Sequence, residues 1–293
     1  MESALNIPHG PLRFSARSLG EGPLVLLLHG FPDNASTWQE QLPALAEAGY
    51  RAVAVTLRGY ETKSRPADGD YGPRALADDV LACIDFFGEE RAHLVGHDWG
   101  ASIAHQTGGL FPKRLRSLTA LSVPHAGRFV AEITRHPKQL RLSWYMLFFQ
   151  LRGLSERVIV RKDYAFIRML WRQWSPGWDA PEEHLQDVIE TLRQPGVLTS
   201  ALTYYRNALS PGTLPLSGAA RKSARFKISV PTLAVTGERD GCIDPAVFQS
   251  MMYPEDYPQG LQVEQIADAG HFPHMEQPAQ FNALLLDWLR RHP

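Results

Sequence analysis

The stretch LVGHDWGAS, from Leu94 to Ser102, contains the residue that most constrains the chemistry of this chain. An apolar run leads into Gly96-x-Asp98-x-Gly100, and the residues that follow can begin a helix. A turn of this form between a buried strand and a helix is a nucleophile elbow, which lifts one side chain above the edge of a sheet. The side chain at the tip is the carboxylate of Asp98, where the common form of the elbow has a hydroxyl.

A carboxylate in this position favours one kind of substrate. Aspartate has a reference pKa of about 3.9, so Asp98 is ionised at neutral pH and needs no base to become a nucleophile. Attack on an acyl carbon would give an anhydride that is more reactive than the starting acyl group, whereas attack on a saturated carbon that bears oxygen or halogen gives a stable ester. The sequence therefore predicts alkyl transfer to Asp98, followed by hydrolysis of the ester.

A second stretch, HGFPDNAS, directly follows the apolar run Leu24–Leu28. A His-Gly turn at the end of a strand can present a backbone N–H, here that of Phe31. Together with the N–H of Trp99, which follows the nucleophile, it would form an oxyanion hole. One such donor contributes roughly 10²–10³ in rate.

Two further stretches supply an acid and a base. VTGERDGCID places Asp240 just after an apolar run, and ADAGHFPHMEQP places His271 in a glycine-led turn. The chain order Asp98, Asp240, His271 is the order of nucleophile, acid and histidine in α/β-hydrolase triads. His274 and Asp244 are weaker candidates, because His271 has the preceding glycine and Asp244 is expected to cap a helix.

Alternating strands and helices would position these residues. Short apolar runs are typical of strands buried on both faces, and strand–helix alternation implies a parallel sheet with right-handed crossovers. We therefore predict a mostly parallel sheet with helices on both faces, and the chain order of Asp98, Asp240 and His271 indicates an α/β-hydrolase fold. The predicted strands are LVLLL, RAVAV, AHLVG, LRSLTALSV, VPTLAVTG and LQVEQIAD, and the predicted helices are STWQEQLPALAEAG with Ser36 as its N-cap, RALADDVLACIDFFG, a helix near Pro245–Met252, and AQFNALLLDWLRR.

The alternation of strand and helix patterns stops between His125 and about Lys227, where helical patterns follow one another without a buried strand. We predict a helical cap at residues 125–228, inserted between core segments 1–124 and 229–293. From His125 to Lys227 there are sixteen Lys and Arg and eight Asp and Glu, a charge of +8, which leaves −9 for the rest of a chain whose total is −1. These charges are either solvated helix faces or a cap that attracts the core or anionic ligands.

Composition excludes several classes of protein. A net charge of −1 and a sequence pI near 6.8 argue against nucleic acid as a partner. No apolar run approaches the ~18 residues of a membrane helix, and MESALNIPHG has no secretory signal pattern. With only Cys83 and Cys242, a disulfide framework or cysteine metal site is not expected. We predict a cytoplasmic protein, and its oligomeric state stays open.

The sequence resembles the epoxide hydrolase branch of the α/β-hydrolase fold from about Leu24 to the C-terminus. The resemblance lies in four stretches: HGFP, GHDWGAS, GERD and AGHFPHMEQP. The resemblance implies that two cap tyrosines bind the epoxide oxygen. One is Tyr145 in SWYMLFFQ, and the other is Tyr205 in TYYRN, with Tyr204 as a competing neighbour. The sequence departs from the family at FFQLRG, where Arg152 replaces a common proline.

The same resemblance implies a reaction and its residues. Asp98 would attack a mostly apolar epoxide while the two cap tyrosines protonate the opening oxygen. Neutral His271, oriented by Asp240, would then activate water to hydrolyse the ester, and the N–H groups of Phe31 and Trp99 would hold the oxyanion. The product would be a vicinal diol, and neither a metal nor an organic cofactor is implied.

Two other functions remain open at this point. A haloalkane dehalogenase would share Asp98 and Trp99. It also needs side-chain donors for the halide, which Phe31 does not offer. The stretch WRQWSPGW of the cap contains three tryptophans that leave this possibility open: Trp171, Trp174 and Trp178. The second alternative is a ligand-binding protein of the same fold without turnover, because fold does not settle function.

Overall fold

The computed structural model describes residues 2–210 and 226–293. In these residues, eight strands form one sheet in the order β1-β2-β4-β3-β5-β6-β7-β8. β1 pairs with β2 and β2 with β4 in antiparallel fashion, and the other neighbours are parallel. The predicted mostly parallel α/β sheet is therefore confirmed. The strands are β1 Ser3–His9, β2 Leu12–Leu19, β3 Leu24–Leu28, β4 Arg51–Val55, β5 Ala92–His97, β6 Leu115–Leu121, β7 Thr232–Gly237 and β8 Leu261–Ile266.

Helices connect the strands and cover both faces of the sheet. In the described residues they are α1 Gln41–Glu47, α2 Pro73–Phe86, α3 Trp99–Leu110, α4 Ala126–Glu132, α5 Pro137–Leu142, α6 Trp144–Phe148, α7 Leu154–Ile159, α8 Arg161–Trp174, α9 Glu182–Arg193, α10 Val197–Ala208, α11 Pro245–Ser250, α12 Pro273–Glu276 and α13 Pro278–Arg291. Short 3₁₀ turns occur at Ala35–Trp38, Thr62–Ser64, Pro112–Arg114, Ile133–Arg135 and Pro254–Asp256. None of these helices is long and apolar enough to cross a membrane.

The described part of the segment between β6 and β7 contains helices and no strand. It contains α4 to α10, and we call residues 126–208 the inserted helices. The start of α8 is irregular, because Lys162, Asp163 and Tyr164 have positive φ angles. Residues 211–225, which the predicted cap includes, lie outside the described residues.

The helix predicted from Ser36 to Gly49 is two elements. A 3₁₀ turn at Ala35–Trp38 precedes α1, and the N-cap is Asn34, whose side chain accepts the N–H of Ser36. The prediction of Ser36 as the cap was wrong by two residues, because the amide oxygen of Asn34 reaches that N–H at 2.9 Å. The helix ends at Glu47 with Ala48 as its C-cap, and the predicted stop Gly49 follows with a φ of 86°, which suits glycine.

The core lies on both faces of the sheet. The five residues of β3 are all buried, and alternate residues of this strand point into two separate apolar clusters. Leu24, Leu26 and Leu28 belong to the larger cluster, which also contains buried side chains of the inserted helices such as Phe149 and Ile159. The inserted helices thus share a continuous core with one face of the sheet, which fixes them above the strand ends.

Candidate active site

Asp98 lies at the junction of β5 and α3 in a backbone conformation that few residues adopt. Its φ is 51° and its ψ is −115°. The two flanking glycines allow the tight approach, because a Cβ at Gly96 would lie 2.1 Å from the Gly100 carbonyl oxygen, and one at Gly100 would lie 2.2 Å from that of Leu28. Such strain persists only where the surrounding structure imposes it, and it is common at functional sites.

The two oxygens of the Asp98 carboxylate have different surroundings. Oδ1 accepts the backbone N–H of Phe31 at 2.8 Å. Oδ2 lies 3.6 Å from Nε2 of His271. The turn that contains Phe31 passes so close that a Cβ at Gly30 would lie 2.3 Å from the Cβ of Asp98. Oδ1 is therefore held by a backbone donor, whereas Oδ2 faces the histidine.

His271 follows β8, and its imidazole connects Asp98 to a second carboxylate. Nδ1 lies 2.9 Å from Oδ2 and 3.1 Å from Oδ1 of Asp240, which follows β7. Oδ1 of Asp240 also accepts the backbone N–H groups of Cys242 and Ile243, so this carboxylate is fixed in the loop. The contact assigns the proton to Nδ1. Nε2 is buried and has no hydrogen-bond partner in the described residues, so it is the nitrogen that can exchange a proton on the side of Asp98.

The electrostatic environment of His271 favours its charged form. Burial of the imidazole alone would lower its pKa, yet the nearby carboxylate of Asp240 outweighs burial, and Asp98 adds to the effect. The pKa of His271 therefore lies well above 6.5. Loss of either negative charge would lower it.

The structure distinguishes the two neighbouring tyrosines of α10. The hydroxyl of Tyr204 donates to the carbonyl oxygen of Arg58 at 2.7 Å. The hydroxyl of Tyr205 is buried and has no hydrogen-bond partner in the described part of the chain. The ring of Tyr205 packs edge-on against Phe31 and Trp99, with centroids 5.3 and 5.0 Å apart. Tyr205, and not Tyr204, therefore has a hydroxyl beside the elbow that is available to bind a substrate.

Tyr145, on α6, completes an aromatic wall over the carboxylate. Its ring lies 5.7 Å from that of Tyr205 and 5.0 Å from that of Trp174. Burial is the main cause that raises the pKa of both Tyr145 and Tyr205 well above 10, and the charge of Asp98 contributes. Both phenols are therefore protonated at neutral pH and can act as hydrogen-bond donors.

One residue of the site was missed in the sequence. Sγ of Cys242 lies 3.3 Å from the hydroxyl oxygen of Tyr145. Burial raises the pKa of this thiol, so it remains protonated and can donate to Tyr145. The only signal in the sequence was its place two residues after Asp240, because nothing there showed that α6 would cover this loop.

The weaker candidates have other contacts. Asp244 accepts the N–H groups of the first turn of α11 at 2.9 and 3.2 Å and caps that helix. His274 contacts Thr37 through Nε2 at 2.7 Å. His97 contacts the carbonyl oxygen of His271 through Nε2, so it lies behind the catalytic candidates. Among the tryptophans of the inserted helices, Trp171 donates its indole N–H to the carbonyl oxygen of Pro32 at 3.0 Å.

One group of potential metal ligands occurs in the described residues. Asp33, His97 and His274 are buried, and one ligand atom from each lies within 4.8 Å of the others. Each has a ring nitrogen or carboxylate oxygen without a partner in that part of the chain. His184 contacts the other oxygen of Asp33 at 2.8 Å. Polar atoms that converge in this way also suit an ordered water, which needs two to four partners.

Comparison with known proteins gives consistent results. The sequence model of the alpha/beta hydrolase fold family matches residues 23–278. Human epoxide hydrolase 4 is 31% identical over 295 residues, which cover 98% of this chain and 78% of that protein. The AB hydrolase superfamily protein YfhM of Bacillus subtilis is 31% identical over 281 residues, which cover 95% of this chain and 94% of that protein.

Solved structures agree with these relatives. The Bacillus megaterium epoxide hydrolase in complex with an inhibitor superposes with a TM-score of 0.83 at 26% identity, covering 98% of this chain and all of that one. An epoxide hydrolase from an endophytic Streptomyces gives a TM-score of 0.81 at 29% identity, covering 99% of this chain and 95% of that one.

Proposed function

Because the chain belongs to the epoxide hydrolase family of the α/β-hydrolase fold and is a hydrolase, we propose that it converts an epoxide into a vicinal diol through a covalent ester on Asp98. The observation that carries the proposal is the line of contacts from Asp98 through His271 to Asp240, with separations of 3.6 and 2.9 Å. It joins a nucleophile for saturated carbon to a base that can release the product.

In the first step, Oδ2 of Asp98 attacks an epoxide carbon and the carbon–oxygen bond of the ring breaks. Oδ2 is the attacking atom because Oδ1 already accepts the N–H of Phe31. The hydroxyls of Tyr145 and Tyr205 hydrogen-bond to the ring oxygen and supply its proton. The aromatic surroundings favour a mostly apolar epoxide.

The contrast between adjacent tyrosines gives a prediction. Tyr205→Phe should slow ring opening by about 10²-fold, since a positioned general acid contributes about 10²–10⁴. Tyr204→Phe removes a hydroxyl of the same helix that is already bonded to Arg58, so it should cost about 1 kcal/mol of stability and leave the rate of ring opening close to that of the wild type. Single-turnover kinetics and thermal unfolding of both variants measure this. The reverse order of effects would contradict the assignment.

In the second step, His271 takes a proton from water through Nε2, and the resulting hydroxide attacks the carboxyl carbon of Asp98. The oxyanion forms on Oδ1, which is already beside the N–H of Phe31, with Trp99 as the second donor. The Cγ–Oδ2 bond breaks, and protonated His271 returns its proton to the departing alkoxide. Asp98 keeps the oxygen from water as a carboxylic acid, whose proton returns to the phenolate that protonated the ring oxygen, and the diol keeps Oδ2.

Ester formation prepares His271 for this step. It removes the negative charge of Asp98, one of the causes that hold the pKa of His271 above 6.5. The imidazole therefore gives up its proton more readily in the ester than in the free enzyme, so it becomes a base when one is required.

This coupling predicts a pH effect in Asp98→Asn, whose neutral amide imitates the ester. A raised pKa keeps His271 protonated to higher pH in the wild type, so the variant should lose that proton at lower pH. Nitrogen-15 NMR of the imidazoles measures both titrations. His93, with a pKa lowered to about 4 by burial and by nearby cations, is an internal reference that does not depend on Asp98. An unchanged titration of His271 in the variant would contradict the coupling.

A single turnover in H₂¹⁸O, with enzyme in excess of an aryl epoxide, tests the whole scheme. The label should enter Asp98 and be absent from the diol, whereas direct attack by water on the epoxide would label the diol. Bromide release from a haloalkane, measured in parallel, tests the dehalogenase alternative. The contact of Trp171 with Pro32 already occupies one donor that such an enzyme would offer to a halide.

A further inference from the structure

The exposed apolar side chains of this protein are concentrated in one segment. Of the nine large ones in the described residues, six lie between positions 140 and 160. Leu147 has 69% of its surface exposed, the largest fraction of the nine. Large contiguous apolar surfaces on soluble proteins commonly mark interaction sites. We call these residues the apolar patch: Leu140, Trp144, Leu147, Leu151, Leu154 and Val160.

Backbone geometry places most of the patch on one face. The spacing from Leu140 through Trp144 and Leu147 to Leu151 is four, three and four residues, which is the repeat of a single helix face. Helical hydrogen bonds bridge the breaks between the short helices, as between Ser143 N–H and the Gln139 carbonyl and between Leu151 N–H and the Phe148 carbonyl.

The opposite face of the same segment is already occupied. Tyr145 and Phe149 point inward and are buried at 3% and 0% exposure, beside the candidate active site. The exposed leucines are therefore not needed to fill the core, because other side chains of this segment already pack inward. Its outer face is apolar in addition.

Basic residues surround the patch. Residues 133–162 contain seven Lys and Arg and a single acidic residue, Glu156, which pairs with Arg206 at 2.9 Å. Six of the cations are exposed and form no ion pair with described residues: Arg135, Arg141, Arg152, Arg157, Arg161 and Lys162. Such a surface complements a partner that has negatively charged groups at its surface and an apolar layer directly beneath them.

We propose that the apolar patch docks on the surface of an anionic lipid bilayer. Leu and Trp on one surface with Lys and Arg around them is the composition of segments that lie in the bilayer interface. Long basic side chains can reach the lipid phosphates while the leucines enter the acyl boundary. Because the same helices carry Tyr145, docking holds the cover of the candidate active site against the lipid.

The positive charge around the patch argues against two other occupants, a second copy of this chain and residues 211–225. Two copies of this chain that met through the patch would bring two sets of unpaired cations together. Residues 211–225 of the chain itself contain three basic residues and no acidic one, so they do not complement the rim either. The docking does not depend on the chemistry proposed for Asp98.

Sedimentation of the full-length protein with vesicles tests the proposal. The protein should bind phosphatidylglycerol vesicles, bind phosphatidylcholine vesicles weakly, and be released by salt. Leu147→Ser with Leu151→Ser should weaken binding more than about tenfold, and Arg157→Gln with Arg161→Gln roughly 30-fold, at about 1 kcal/mol for each charge. Neither pair should change epoxide turnover in solution.

Matched controls come from elsewhere on the surface. Leu110→Ser removes a leucine that is 47% exposed at the end of α3, and Arg290→Gln removes an exposed arginine of α13, so both should bind like the wild type. Equal loss in the controls, or no binding to anionic vesicles, would overturn the proposal. So would a dimer in analytical ultracentrifugation that only the patch variants dissociate.

Discussion

His271→Ala is expected to open its substrate once and then stop as a covalent ester. The first step uses Oδ2 of Asp98, the N–H of Phe31 and the two phenols, none of which the substitution removes. The second step loses its base, and general-base catalysis contributes about 10²–10⁴ in rate. Steady-state turnover should therefore fall by at least 10²-fold, while epoxide is consumed in an amount equal to the enzyme.

Intact-mass spectrometry after exposure to excess epoxide measures the trapped state directly. The mass of the protein should rise by the mass of one epoxide, and a peptide that contains Asp98 should carry the addition. Because His271 is fully buried, alanine leaves a cavity, so His271→Gln serves as a second variant of more similar volume. An unmodified mass in a folded variant would mean that the ester does not form.

Much of the positioning of the site was predictable because it depends on strand ends. Leu24–Leu28 and Ala92–His97 are short buried strands followed directly by His29 and Asp98. Parallel strands bring their carboxyl ends to one edge of the sheet. The elbow could be predicted for a local reason, since the glycines on either side of Asp98 have no room for a Cβ.

The N-terminal hairpin was missed although its pattern was present. Leu12, Phe14 and Ala16 are buried and alternate with exposed or half-buried residues along β2, which is the pattern of a strand with one face on the core. Gly10, with a φ of 55°, forms the turn before it. The search for fully apolar runs detected strands covered on both faces and overlooked a strand at the antiparallel side of the sheet.

Contacts across the inserted helices could not be predicted from the sequence. Tyr204 and Tyr205 are adjacent on α10 and point about 100° apart, so a motif places the pair but cannot say which hydroxyl faces Asp98. That choice depends on the Arg58 carbonyl, 146 residues away, which engages Tyr204. The contact of Cys242 with Tyr145 spans 97 residues and is equally invisible in local patterns.

Asp98→Asn is expected to abolish turnover while it preserves the fold. The amide has nearly the same shape as the carboxylate, its oxygen can still accept the N–H of Phe31, and asparagine tolerates a φ of 51° better than most residues. What it loses is the negative charge and the lone pair that attack carbon, so kcat should fall by roughly 10⁴–10⁶, the range for removal of one member of a catalytic triad. Circular dichroism checks the fold and diol formation measures the rate.

The double variant Asp98→Asn, His271→Ala makes the test independent of any residual turnover. The His271 variant alone should accumulate the ester, and the double variant should show no added mass with the same epoxide, because the atom that forms the bond is gone. An adduct that persisted in the double variant would place the nucleophile elsewhere, with Cys242 as the nearest alternative, since its sulfur already lies beside Tyr145. The pair of mass spectra therefore separates a missing base from a missing nucleophile, which activity measurements alone cannot do, because both substitutions stop diol release.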